Sequence, residues 1–175
     1  MSPHVLEKLH KEACDVFGSK EAPDYEDLPN LKYALAVMNE TLRLFPIVTL
    51  IPKYAPEDTT LGPYFIPKNS FVNLHTTGIH YNPKYWGKDA KEFNPDRFMT
   101  DDWNKNAFLP FSDGVRSCLG KKFSQIETVT VLSTIAKNYT IHVPPGADRE
   151  HLLDSRIALT LIPKNPLNLI FKKRV

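Results

Sequence analysis

Apolar residues recur at helical spacing in three windows of the chain that contain no proline, residues 4–22, 30–45 and 111–143. In the first window Leu6, Leu9, Ala13, Val16 and Phe17 share one face. Ser2-Pro3 reads as a cap followed by proline at the opening helical position, and Gly18 supplies a stop. In the second, Leu31, Leu35, Met38 and Leu42 form the stripe, and Pro46 pushes Phe45 out of helical geometry. In the third, the run from about Leu119 to Tyr139 carries Phe123, Ile126, Val129, Val131, Leu132 and Ile135, which predicts a deeply buried helix.

Between the second and third helices the period changes. Thr59 to Ile66 and Phe71 to His75, joined by Pro67-Lys68-Asn69-Ser70, read as a β-hairpin with proline at the first turn corner. Ile157 to Ile162 and Leu167 to Lys172 read as strands around Pro163-Lys164-Asn165-Pro166. Residues 80–117 show no clean period and read as ordered loop with one short helix. An aperiodic stretch of that length in a compact domain tends to be functional. The fold class is therefore mainly α with small β-sheets.

Composition narrows the function. The chain has 175 residues, and its 22 basic and 20 acidic residues leave a net charge of +2, too little for a nucleic-acid footprint. Two cysteines, Cys14 and Cys118, exclude a disulfide scaffold and an all-cysteine metal site. No apolar run approaches the roughly 18 to 20 residues of a membrane span, and no signal peptide follows Met1. Eight of the 15 prolines fall between Pro46 and Pro110, in the hairpin and the aperiodic stretch, so they leave the three helical windows intact.

The aperiodic stretch ends in Phe111-Ser-Asp-Gly114-Val-Arg116-Ser-Cys118-Leu-Gly120, just where the long apolar run begins. Orphan N–H groups at a helix start favour an anion, and a thiolate there is either a nucleophile or an axial metal ligand. The six histidines form no HExxH or HxxxH pair, so neither a catalytic base nor a protein-only zinc site is marked. A cofactor that brings its own remaining ligands fits better, and a haem iron needs only one from this face. Gly114 and Gly120 would let the backbone approach a flat ring, Arg116 would meet a propionate, and Phe111 would pack near the sulfur. Elsewhere Glu40 and Arg43 stand three apart on the middle helix among Met38, Leu42, Leu44 and Phe45. Arg97, in Pro95-Asp96-Arg97-Phe98, is a candidate to complete a buried pair, although spacing does not establish the contact.

With these pieces in order the chain resembles the cytochrome P-450 superfamily, the haem-thiolate monooxygenases. The signature Phe-x-x-Gly-x-Arg-x-Cys-x-Gly is matched at every fixed position from Phe111 to Gly120, and Phe123 and Glu127 also fit, with Ser124 where alanine is usual. Glu40 and Arg43 match the Glu-x-x-Arg motif, and Arg97 matches the arginine of Pro-Glu-Arg-Phe, with Asp96 in place of glutamate. Residues 86–93 look like the connecting stretch of eukaryotic microsomal-type members.

The resemblance implies that residues 1–175 are the C-terminal haem-binding portion of one such domain. Cys118 would be the proximal ligand of haem b (iron protoporphyrin IX), with Phe111, Gly114, Arg116, Gly120 and Lys53 as cofactor contacts. Lys53 would stand where such proteins often place a propionate-binding arginine, and Glu40, Arg43 and Arg97 would form the ionic triad behind the haem. Val48 to Leu50 and Ile157 to Leu161 would border the pocket for a small lipophilic substrate, or simply be strand core. Lys121 and Lys122 would help dock an electron donor, or remain solvated helix charges. Electrons would come from an NADPH-dependent reductase, and a complete homologue would sit on the cytosolic face of the endoplasmic reticulum through an N-terminal anchor. Nothing in the 175 residues resembles the family's central helix with its acid–threonine pair. The rival expectation is therefore a truncated, inactive haem-binding or interaction fragment, with the apolar face of the third helix exposed.

Overall fold

The computed structural model describes residues 3–148 and 153–174. Helix α1 (Pro3–Phe17) buries Val5, Leu9, Ala13 and Phe17, a four-residue repeat that points one stripe at the core. The stripe is centred one residue before the predicted Leu6, which is half-buried, and the predicted cap at Ser2 lies outside the described residues. Gly18 ends the helix at φ +46°, where L side chains are strained, and its N–H bonds the Cys14 carbonyl at 3.1 Å. Helix α2 (Lys32–Leu44) is buried on nearly every side. Its first N–H groups are capped from α1, because the Glu12 carboxylate accepts from Tyr33 N at 2.6 Å and Ala34 N at 2.9 Å. Burial, partly offset by these bonds, holds the Glu12 carboxyl above its usual range.

The strands pair differently from the expectation. β1 (Leu50–Tyr54) pairs antiparallel with β4 (Phe71–His75), while β2 (Thr59–Leu61) and β3 (Tyr64–Ile66) form their own hairpin. Gly62, at φ +58°, and Pro63 turn the chain inside what reads as one strand. The turn at Pro67–Ser70 exists, but it leads β4 back to β1 rather than to residues 59–66.

Two short helices follow, α3 (Thr76–His80) and α4 (Pro83–Trp86), with Asn82 capping the second through Lys84 N. The aperiodic stretch holds single 3-10 turns at Pro95–Phe98, Lys105–Ala107 and Gly114–Arg116, more than the one helix expected. Aromatic packing orders it: Phe98 lies 4.9 Å from Phe108 and 5.0 Å from Trp103, ring centre to ring centre, around buried Trp86.

Helix α5 (Lys121–Asn138) departs most from its pattern. Only Val129, Ser133 and Ala136 are buried, while Phe123 is 70% and Val131 49% exposed. Its apolar residues are mixed with Lys, Ser, Gln, Glu and Thr around the helix rather than gathered in one stripe, and α1 and α2 cover one side of it. The expected deep burial is therefore wrong for this helix, whose Phe123 and Val131 side chains face outward. At the end of the chain β5 (Tyr139–His142) pairs with β8 (Ile170–Lys173), and β6 (Ser155–Ile157) with β7 (Leu161–Pro163). The predicted strand 157–162 is thus a hairpin, and the predicted 167–172 strand pairs with residues after α5, not with its neighbour. The fold is mainly α with small antiparallel sheets, as expected. None of the described helices is long and apolar enough to cross a membrane.

Candidate functional site: a buried ionic centre behind an exposed thiol

The core where α2 meets the aperiodic stretch is ionic. Arg43 donates from Nε to Glu40 Oε2 at 2.6 Å and from Nη2 to Glu40 Oε1 at 2.8 Å, with both side chains fully buried. Its other N–H groups reach the carbonyls of His80 (2.8 Å), Ala90 (2.5 Å) and Glu92 (3.1 Å), so all five donors are used. Glu40 Oε1 also accepts from Asn94 N at 2.8 Å and Arg97 Nε at 3.1 Å. Arg97 then reaches Asp89 Oδ2 at 2.9 Å and the Trp86 carbonyl at 3.3 Å. Two guanidinium groups meet two carboxylates, and nearly every lone pair and proton has a partner. That arrangement is what a buried charge cluster requires. Burial pushes the Asp89 carboxyl up, but the Arg97 charge and hydrogen bond outweigh it and hold it below the ordinary carboxylate value.

His80 belongs to this centre although sequence reasoning passed over it. The ring is fully buried, with Nδ1 3.2 Å from the Arg43 carbonyl and Nε2 accepting from Leu109 N at 2.9 Å. Burial first, and the nearby Arg43 charge, lower its pKa to about 4. A five-residue helix has no burial period to mark one histidine of six. Asp89 was missed for a similar reason, since it lies in a stretch with no repeat.

From Leu109 the chain runs to the thiol by short steps. Ser112 N bonds the Leu109 carbonyl at 3.3 Å, Cys118 N bonds the Phe111 carbonyl at 2.9 Å, and Ser117 N bonds the Gly114 carbonyl at 3.0 Å. Ser112 stands at φ +60° and Gly114 at φ +79°. A Cβ on Gly114 would meet nothing within 4 Å, so glycine serves the backbone angle there rather than room. Gly120 has an ordinary helical φ of −79°, and a Cβ there would stand 3.7 Å from Cys118 Sγ, in normal contact.

Cys118 is exposed, three residues before α5 opens. Beside it in sequence Val115 and Leu119 are fully exposed, and Phe111 is half-buried. Lys53, on β1, donates to Ser112 Oγ at 3.3 Å and borders a cavity of about 260 Å³ together with Leu109 and Asp113. The structure thus joins Lys53, Phe111 and Gly120 to the Cys118 loop. Arg116, the other expected propionate partner, is exposed on the loop. Val48, Leu50 and Ile157 are exposed rather than strand core. Lys121 and Lys122 are exposed on α5. A single soft donor, apolar side chains turned outward around it and two nearby cations make a donor set that fits haem.

A family model for cytochrome P450 matches residues 1–171. Cytochrome P450 monooxygenase 124 of Postia placenta is 43% identical over 96% of this chain and 35% of its own length. A cytokinin hydroxylase of Arabidopsis thaliana is 33% identical over 99% of this chain and 33% of its own length. Cytochrome P450 2U1 of Bos taurus is 32% identical, again over 99% of this chain and 32% of its own. The chain spans about a third of the length of the curated relatives it matches.

Proposed function

The chain belongs to the cytochrome P450 family, and from that premise we propose that residues 1–175 are the haem-thiolate portion of a monooxygenase, an incomplete part of one domain. The observation that carries this is an exposed thiol on a loop whose backbone is hydrogen-bonded, step by step, to a fully paired ionic centre. Bound haem b supplies oxygen activation, so that one atom of O2 enters a small lipophilic organic substrate.

The residues of this chain bind and orient that group. Cys118 provides the thiolate ligand, Phe111 packs near the sulfur, and Val115, Leu119 and Phe123 offer apolar surface to the ring. Arg116 and Lys53 meet the propionates, Arg116 as a planar fork and Lys53 as a point charge. Gly114 gives the loop its left-handed turn, and Gly120 adds no side chain beside the sulfur, where a ring would approach. The Glu40–Arg43–Arg97 centre holds the loop from behind and does not touch the reacting atoms. Electrons come from an NADPH-dependent reductase, and the whole protein works at the endoplasmic reticulum membrane.

The test is reconstitution of the 175-residue chain with haem, then reduction under carbon monoxide, whose Soret band reports thiolate ligation. The wild type and Cys14→Ser should show the thiolate spectrum and Cys118→Ala should not. An unchanged spectrum in Cys118→Ala would overturn the assignment.

A further inference from the structure

We propose that His80 is a positioning residue for the Cys118 loop, a neutral imidazole of fixed tautomer that ties the ionic centre to the Leu109 backbone and so sets where the thiol stands. Calling that thiol an iron ligand rests on the function proposed above; the tie itself does not.

The tautomer follows from the partners. A peptide N–H only donates, so Nε2, 2.9 Å from Leu109 N, must be the bare acceptor. Nδ1 then carries the proton and donates to the Arg43 carbonyl at 3.2 Å. The His80 carbonyl in turn accepts from Arg43 Nη1 at 2.8 Å, so the residue is gripped at main chain and side chain by one arginine. The ring also lies 5.5 Å from the Phe108 ring, which keeps water out on that side. An imidazole has one donor and one acceptor on opposite edges, and both are used here, one toward Arg43, 37 residues before His80, and one toward Leu109, 29 residues after it.

What hangs from that joint is the loop. Leu109 O receives Ser112 N, and Phe111 O receives Cys118 N, in a relay of backbone bonds toward the sulfur. Residues 113–120 are exposed, so few apolar contacts hold them. Lys53, at 3.3 Å from Ser112 Oγ, is the other side-chain bond to this segment among the described residues, and it is longer. Position therefore depends on the anchoring at Leu109 more than on packing.

Two variants separate the roles. In His80→Asn the carboxamide sits at the depth of Nδ1, keeps the bond to Arg43 and cannot reach Leu109. In His80→Gln the carboxamide oxygen sits at the depth of Nε2 and accepts from Leu109 again. Amide hydrogen exchange on the haem-free chain should show Leu109, Ser112 and Cys118 exchanging about tenfold faster in His80→Asn, with α5 unchanged. His80→Gln should stay near wild type. After haem reconstitution the thiolate-ligated fraction should fall in His80→Asn and recover in His80→Gln. Equal protection of the loop in both variants, or loss spread equally over α5, overturns the proposal. Nitrogen-15 spectra of the wild type provide a reading that needs no variant: Nε2 without a proton is expected, and a protonated Nε2 at neutral pH overturns it. Should the wild type show no thiolate spectrum, the haem reading fails, while the exchange data still decide the role of His80.

Discussion

The ionic centre and the Cys118 loop are two ends of one hydrogen-bonded path, and they are built in opposite ways. At the centre, Glu40 and Arg43 are taken wholly out of water and nearly every strong donor and acceptor is met from inside the chain. At the loop, the apolar side chains Val115 and Leu119 are fully exposed and Phe123 largely so, and the thiol is open. The first region is complete in itself, whereas the second presents surface to something else. Folding free energy should therefore reside at the centre and ligand binding at the loop, and substitutions can be chosen to pull the two apart.

The strongest challenge is Glu40→Gln. Removing the Glu40 charge leaves buried Arg43 without a carboxylate, while Arg97 keeps Asp89, and an uncompensated buried charge costs about 3–5 kcal/mol. Against a domain stability of about 5–15 kcal/mol the variant should lose its cooperative urea transition or shift it far down. Cys118→Ala, at the exposed end, should leave that transition within about 0.5 kcal/mol of wild type in the haem-free chain. A cost under about 1 kcal/mol for Glu40→Gln would mean that water already reaches the centre.

The next effect is acidic. The folded-state pKa of His80 is lowered to about 4 from an ordinary 6.5, so between those values the unfolded chain binds more protons than the folded one. Stability contributed by keeping the ring neutral is intact above about 6.5 and is lost progressively as pH falls toward 4. The full difference is about 3 kcal/mol. Glu12, whose carboxyl is raised, works the other way, since its protonation as pH falls favours the folded state. The informative quantity is therefore the wild type minus His80→Gln, measured as urea midpoints from pH 7 to pH 4. That difference should shrink or reverse on acidification, and a constant difference would show that His80 titrates normally.

What could be read from sequence follows the same division. The three helices were legible because Leu9, Ala13 and Phe17, or Met38 and Leu42, repeat at a period that only a helix satisfies. The thiol loop was legible because Phe111, Gly114, Arg116, Cys118 and Gly120 keep a fixed spacing. Strand partners were not, because Gly62-Pro63 splits one apolar run into a hairpin while β4 returns to β1 across 16 intervening residues. The contact of Arg97 with Glu40, 57 residues away, was not in the spacing, but the resemblance implied it and the structure bears it out. The exposure of α5 was foreseen only through the resemblance; its own apolar pattern pointed to burial.

A smaller effect tests the rim of the centre. Asp89 is 43% exposed and pairs with Arg97 at 2.9 Å, so Asp89→Asn should cost about 0.5–1 kcal/mol, mostly through the lost charge. Its lowered carboxyl value gives the sign, because the contribution is present above the unfolded pKa and fades as pH falls through the folded one. Thermal midpoints at pH 7 and at pH 3 should differ less between Asp89→Asn and wild type at the lower pH.

The smallest effect on stability should accompany a large effect on behaviour, and it bears on the loop end alone. Leu119 is fully exposed and Phe123 70% exposed, so Leu119→Ser and Phe123→Ser remove little buried surface. Unfolding should move by no more than about 0.5 kcal/mol. An exposed apolar patch favours association, however, so both variants should sediment as smaller species than wild type at equal concentration. If the same residues offer surface to a haem ring, adding haem should disperse the wild type but have less effect on the variants, and their haem affinity should fall. Unfolding shifts above about 1 kcal/mol would show instead that these side chains are packed in solution, and the contrast between a self-sufficient centre and an outward-facing loop would fail at its exposed end.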